Sequence, residues 1–388
     1  MAKIFRLGRA QVEALAATYG TPLLVISLEQ VKENYAMMKN ALRDVNIYYA
    51  VKSNPHDRIV QTLAQLGSCF DVASDGEMLQ LARLGISPEK IVYANPVKTR
   101  NGLLTAQKTG VSKFTFDSEK EIEKIAEYVP GGKVLLRIRI DATNALIDLN
   151  KKFGADPQEA IRLLFAAKNK GLDPAGLCFH VGSQTTEVAP FIEAIKVCAG
   201  LFDQARQAGF NLRILDIGGG YPAPTRTLEV DVPAMGREIR AALDKYFPRT
   251  EIWAEPGRVI CGTVANLVTR VIGETERDGQ RWYFLDEGLY GTFSGLIFDH
   301  QDYELETFKF DARKVPATFA GPSCDSLDVI VKDRETPVLE VDDLVLVPIC
   351  GAYTSASATT FNGFALAKTV IWEDVKDALS SAKQKEHV

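Results

Sequence analysis

The sequence predicts an α/β chain: a TIM-like (β/α)8 barrel over residues 28–256, completed by an antiparallel β domain drawn from residues 1–27 and 257–388. Three observations lead there. Between Asn46 and Glu255, short apolar β-branched or aromatic runs alternate with helix-period runs in eight successive units, joined by a few residues each. Parallel strands covered on both faces read as such continuous apolar runs, and eight of them close a barrel. No glycine fingerprint for a dinucleotide opens the first unit, which makes an open doubly wound sheet the lesser alternative. After about residue 258 the texture shifts to alternating or β-branched segments separated by Gly, Asp and Pro, the pattern of antiparallel sheet.

An amphipathic piece, Arg9 to Tyr19, precedes a strand within Thr21–Ile26 that is assigned to the β domain. A helix follows from Leu28. The barrel strands are Asn46–Val51, Cys69–Ala73, Ile91–Ala94, Lys113–Phe116, Val134–Ile140, Gly176–His180, Leu215–Ile217 and Ile252–Glu255, with helices between them. Asp117 or Ser118 is a natural N-cap for the helix from Glu119. A polar loop precedes the helix at Pro157. The later strands are Ala265–Ile272, Arg281–Asp286, Val315–Ala320, Asp328–Lys332 and Leu344–Ile349, and the polar tail from Lys376 is expected to fray.

With 46% hydrophobic and 24% charged residues and a net charge of −5, the chain has a soluble globular balance that argues against a nucleic-acid binder. No run of about 18 apolar residues and no cleavable leader is expected, and the placement is cytoplasmic. The six cysteines are far apart and read as reduced thiols, and the four scattered histidines have no metal-ligand spacing.

Four features carry chemistry, each at the C-terminal end of a predicted barrel strand, the catalytic face of such a fold. Lys52 ends the apolar run Ile47–Val51. A lone lysine there is ordinarily a solvated charge. In an apolar setting its pKa falls and the amine becomes a nucleophile for a carbonyl. Gly218-Gly219-Gly220 follows the seventh strand; it reads as a tight turn or as a backbone cradle for phosphate. Glu255-Pro256-Gly257-Arg258 follows the eighth and offers a carboxylate for a ring nitrogen beside a phosphate-binding arginine. His180 and Ser183 follow the sixth, an imidazole to stack on a flat ring and a hydroxyl for phosphate. An amine, a phosphate cradle, a carboxylate and a stacking imidazole are together what pyridoxal 5′-phosphate requires.

These motifs, with Phe70-Asp71-Val72-Ala73-Ser74, Gly321-Pro322-Ser323-Cys324-Asp325 and Gly351-Ala352-Tyr353-Thr354, resemble the fold-type III pyridoxal-phosphate decarboxylases of basic amino acids, the ornithine/lysine group, over nearly the whole chain. The resemblance implies that Lys52 carries the cofactor. Asp71 and Arg137 order its reactive side, His180 stacks on the ring, and Glu255 holds the ring nitrogen. Ser183, Gly218, Gly219, Gly220, Gly257, Arg258 and Tyr353 bind the phosphate. It further implies a homodimer with shared active sites, in which Cys324 and Asp325 reach the other subunit's cofactor and Cys324 returns the proton to Cα. Asp299 and Asp325, with Phe298 and Phe361, form the substrate set.

The expected reaction is decarboxylation of L-ornithine and L-lysine. Diaminopimelate decarboxylases resemble the chain too, but carry Glu after the Cys and an Arg for the distal carboxylate. Here Asp325 follows Cys324, and 291–300 holds Asp299 and no Arg. Asp299 alone reads equally as a helix cap. An inactive, decarboxylase-like binding protein is the alternative from another class; it should have damaged cofactor positions, and these are intact.

Overall fold

A computed structural model describes residues 3–140, 152–310 and 313–385. Residues 141–151 of the expected polar loop, and His387, lie outside them. The chain divides into two compact units. One comprises Lys32–Pro222 and Val230–Ile260; the other comprises Met1–Val31, Ala223–Glu229 and Cys261–Val388.

The strands run β1 (Leu23–Ile26), β2 (Val45–Ala50), β3 (Cys69–Val72), β4 (Ile91–Tyr93), β5 (Lys113–Phe116), β6 (Lys133–Arg137), β7 (Asp173–Cys178), β8 (Ile214–Asp216) and β9 (Glu251–Ala254). Strands β2 to β9 close a parallel barrel in sequence order. Tyr48, Val92, Leu135, Ala175, Cys178, Ile214 and Trp253 form a buried cluster from its strands, with the Tyr48 and Trp253 rings 4.4 Å apart. Each large side chain so buried contributes about 1.5–3 kcal/mol. The pairings Ala50 with Asp71, Arg137 with Cys178, Cys178 with Asp216, and Asp216 with Trp253 set these residues level at the C-terminal edges of their strands. Beside β4 and β5, the buried Lys98 amine donates to the carbonyls of Asn95, Pro96 and Thr115 and sits 3.7 Å from Glu121. Burial pulls its pKa down to about 8.

The second unit carries β10 (Ala265–Arg277), β11 (Gln280–Leu285), β12 (Glu306–Thr307), β13 (Lys314–Ala320), β14 (Val329–Pro337), β15 (Leu344–Val347) and β16 (Lys368–Ile371). The sheet order is β12-β15-β10-β11-β13-β14, and β1 lies between β10 and β16. Pairings are antiparallel except β1 with β16 and β11 with β13. The tail does not fray at Lys376: a helix runs from Trp372 to Lys385. Trp372, Val375 and Leu379 cluster with Val12, Leu15 and Ala16 of the helix Arg9–Tyr19. Burying that face outweighs the polarity of the rest. Among the described residues no helix is long and apolar enough to cross a membrane.

Candidate active site

The apolar run of β2 ends in a single 3-10 turn, Val51–Ser53, that lifts Lys52 off the barrel edge. The Tyr49 hydroxyl donates to the Asn54 carbonyl (3.0 Å), and Asn54 Oδ1 accepts from the His56 N–H (3.1 Å), so the turn is pinned on both sides. Lys52 Nζ is half-exposed and lies 2.7 Å from Oδ2 of the buried Asp71. Asp71 Oδ1 has no donor. Glu77, in the first turn of the next helix, accepts the Ala73 N–H at 2.6 Å. Burial, opposed by that bond and aided by the Asp71 charge, pushes its carboxyl up to about 6.

Opposite these, Arg137 closes β6. Its Nε and Nη2 are buried with no acceptor, and its guanidinium lies 5.2 Å from the centre of the Phe153 ring. His180 Nδ1 accepts the Gly182 N–H at 3.0 Å, which leaves the ring proton to Nε2. Burial, then the charges of Arg137 and Lys52, hold the imidazole neutral, well below its usual pKa. Asp216 is fully buried at the end of β8; its Oδ1 accepts the Gly218 N–H at 2.8 Å. The Glu255 carboxyl is its hydrogen-bond neighbour. Burial raises both acids: Asp216 to about 6, against the bonds from Gly218 and Glu255, and Glu255 well above the carboxylate range, where the charges of Asp216 and Asp71 add to it. The thiol of Cys178 and the phenol of Tyr221 are also driven up, mainly by burial.

The glycine run threads between these elements. The Glu255 N–H donates to the Gly218 carbonyl (2.8 Å) and the Thr185 N–H to the Gly220 carbonyl (3.0 Å). A Cβ at Gly218, where φ is +65°, would meet the Phe179 carbonyl oxygen at 2.1 Å. One at Gly219 would lie 2.6 Å from the Glu255 carbonyl oxygen and 3.1 Å from His180 Nε2. No other residue fits there. Gly257 is as confined: a Cβ would lie 2.8 Å from that of Ser53. Ser183 is in the loop that Gly220 abuts, and Arg258 follows Gly257 at the start of a short helix, Arg258–Cys261.

Of the residues expected from sequence, the barrel unit thus holds Lys52, Asp71, Arg137, His180, Ser183, Gly218, Gly219, Gly220, Glu255, Gly257 and Arg258, all on segments at the C-terminal ends of its strands. These residues fit pyridoxal 5′-phosphate. Arg137 has buried donors lacking an acceptor, an amine stands at the barrel edge, and the glycine run leaves backbone room that side chains would close.

The β unit assembles a second set. Cys324 and Asp325 lie on the turn between β13 and β14. Asp328 ties that turn down, accepting the Leu289 N–H (2.7 Å) and the Ser323 N–H (3.1 Å). The Tyr290 hydroxyl donates to Asp325, and its ring stacks on Phe361 at 4.2 Å. The Cys324 N–H donates to Asn362 Oδ1 at 3.0 Å. Asp325 is held below the usual carboxylate range by the Leu327 N–H and then by Tyr290. Asp299 is buried at the end of the short helix Gly295–Phe298, beside an exposed Phe298. Tyr353 is half-buried, with φ +53°, after β15. Sequence reasoning gave no role to Asp216, Glu77, Tyr221, Tyr290 or Asn362. Asp216 lay within the predicted strand Leu215–Ile217, so only its partner was missing.

Residues 28–262 match the family model described as pyridoxal-dependent decarboxylase, pyridoxal binding domain. A lysine/ornithine decarboxylase of Selenomonas ruminantium is 50% identical over 373 residues, 96% of this chain and 95% of that protein. The crystal structure of SrLDC in complex with PLP and cadaverine superposes with a TM-score of 0.93 at 48% identity, covering 100% of this chain and 99% of that one. A lysine/ornithine decarboxylase from Vibrio vulnificus complexed with putrescine gives 0.88 at 36% identity, over 94% and 99%. A barrel with an amine, a carboxyl pair and a glycine cradle at the ends of its strands, matched over that whole barrel, makes this chain a member of the pyridoxal-dependent decarboxylase family.

Proposed function

We propose that the chain is a pyridoxal 5′-phosphate enzyme that decarboxylates L-lysine and L-ornithine, releasing CO2 and leaving cadaverine and putrescine. The observation that carries this reading is the Lys52 amine held 2.7 Å from Asp71 at the barrel edge. Bound pyridoxal phosphate supplies an aldehyde that condenses with amines and a ring that takes up the electrons left when CO2 departs.

The protein's own groups do the rest. Lys52 is the residue that would hold pyridoxal phosphate through its aldehyde, its amine standing at the barrel edge beside Asp71. Asp71 fixes Lys52 and Arg137 orders the same side. The imidazole of His180, held neutral by burial, would stack against the ring without adding charge. Glu255 accepts from the ring N–H and keeps the ring protonated. Ser183, the three glycines, Gly257, Arg258 and Tyr353 hold the phosphate.

Asp299 and Asp325 take the distal ammonium, for which carboxylates suit better than for a second carboxylate. Phe298 and Phe361 set the depth of that end. Cys324 delivers a proton to Cα. We assign Cys324 and Asp325 to the other subunit's site in a homodimer. Support comes from exposed apolar side chains on their own and neighbouring loops: Leu327, Phe361, Phe364 and Leu366. Six free cysteines suit a reducing cytoplasm.

CO2 release from lysine, ornithine, arginine and diaminopimelate tests the reading. Lysine and ornithine should both be turned over. A preference for arginine or diaminopimelate would overturn the substrate assignment.

A further inference from the structure

The carboxyls of Asp216 and Glu255 face each other across neighbouring strand ends, and the geometry restricts what both can be. Asp216 is fully buried; Oδ1 takes the Gly218 N–H, and Oδ2 has no N–H or O–H donor. The group in hydrogen-bond contact with this carboxyl is Glu255, which as a carboxylate has no proton to offer. Two buried carboxylates in contact do not both ionise; one proton between them satisfies both.

The surroundings decide how many protons remain. Asp71 adds negative charge on one side, while Arg137 and Lys52 oppose it. His180 is neutral, and the thiol of Cys178 and the phenol of Tyr221, which face the same pair, keep their protons. Two cations and Asp71 therefore accompany a pair carrying a single negative charge. Although the Lys52 charge opposes it, Glu255 is the member whose protonated form burial favours more.

We propose that Asp216 is a positioning residue for Glu255: the two share one proton, and Asp216 keeps it when Glu255 accepts the ring N–H of pyridoxal phosphate. The step is a shift across one hydrogen bond. The O–H bond on Glu255 breaks, one on Asp216 forms, and no proton enters or leaves. An N–H cation reverses the order within the pair because the ionised carboxyl accepts from it far more strongly than the protonated one. Asp216 then donates to Glu255, fixing it and holding its charge at the ring. The inference rests on pyridoxal phosphate as the cofactor, and its readout is separate from substrate turnover.

Infrared spectra of the loaded enzyme test it, with aspartate or glutamate carrying carbon-13 in the side-chain carboxyl. The loaded enzyme at neutral pH should show a protonated-carboxyl C=O stretch that moves with the aspartate label and is lost in Asp216→Asn. In the protein stripped of cofactor, the corresponding band should move with the glutamate label. Asp216→Asn keeps a donor to Glu255 and should retain the cofactor within about threefold of wild type. Asp216→Ala removes a charge-assisted bond and should weaken retention about 10- to 100-fold. If the loaded enzyme has no aspartate-sensitive protonated band, or if Asn weakens cofactor retention as much as Ala, the proposal is wrong and Asp216 acts as a charge.

Discussion

Lys52 Nζ and Asp71 Oδ2 stand 2.7 Å apart, on adjacent strand ends whose register pairs Ala50 with Asp71. The contact places a half-exposed amine against a fully buried carboxylate whose other oxygen has no donor. An amine so held is accessible to a carbonyl yet fixed in direction, and the expectations below follow from this arrangement and the groups around it.

Gly219→Ala should fold and lose cofactor. Its Cβ would press on the backbone carbonyl of Glu255 and on the His180 ring, two residues whose side chains are assigned to the cofactor ring. Overpacking of this kind costs about 1–3 kcal/mol, or about 5- to 150-fold in the Kd for pyridoxal phosphate. Titrating stripped variant and wild type with the cofactor reads this directly; equal affinities would remove Gly219 from the cradle.

Asp299→Ala should lower kcat/KM for lysine and ornithine about 10- to 150-fold, the worth of a charge-assisted hydrogen bond to the distal ammonium. The visible spectrum of the bound cofactor should not change. One methylene is worth only about 1–3 kcal/mol, so the two substrates need not suffer equally. Unchanged kinetics on both would assign Asp299 a merely structural place at the end of its helix.

Mixing inactive Lys52→Ala with inactive Cys324→Ala should restore activity, because a hybrid dimer would contain one intact site. Subunit exchange is followed in parallel by a tag on one variant. Exchange without recovery would show that both residues serve the same subunit's site.

Stability of the unloaded protein should fall as pH rises above the carboxylate range. Burial raises Glu287 to about 7, and Asp216 and Glu77 to about 6. For a raised acid the native state binds the proton more tightly, so the stabilisation is complete below about pH 4 and is lost as pH rises through about 7. Glu287 alone accounts for roughly 3 kcal/mol of this. Urea unfolding at about pH 5 and pH 8 should show the loss, and Glu287→Gln should flatten it. Parallel profiles for the two proteins would contradict the buried, protonated Glu287.

Much of this was legible in the sequence because it is local. The barrel strands announce themselves as apolar β-branched runs, and the barrel residues proposed to hold the cofactor sit at their ends, so finding the strand finds the candidate; Tyr353, after β15, is outside that pattern. The terminal helix escaped because Trp372, Val375 and Leu379 mark one face in an otherwise polar stretch, and that face matters only against Val12 and Leu15, more than 350 residues earlier. Asp216 and Tyr290 escaped for a related reason. Their roles lie in what they touch, Glu255 and Asp325, and strand register or turn geometry makes those contacts.

The central claim is that Lys52 carries the cofactor, and trapping that bond tests it most directly. Borohydride reduction of the loaded enzyme, followed by peptide mapping, should place the label on Lys52. The buried Lys98, with its pKa pulled down to about 8, is the chemically plausible competitor, but three carbonyls enclose its amine. Label on Lys98, or on any lysine other than Lys52, would contradict the account.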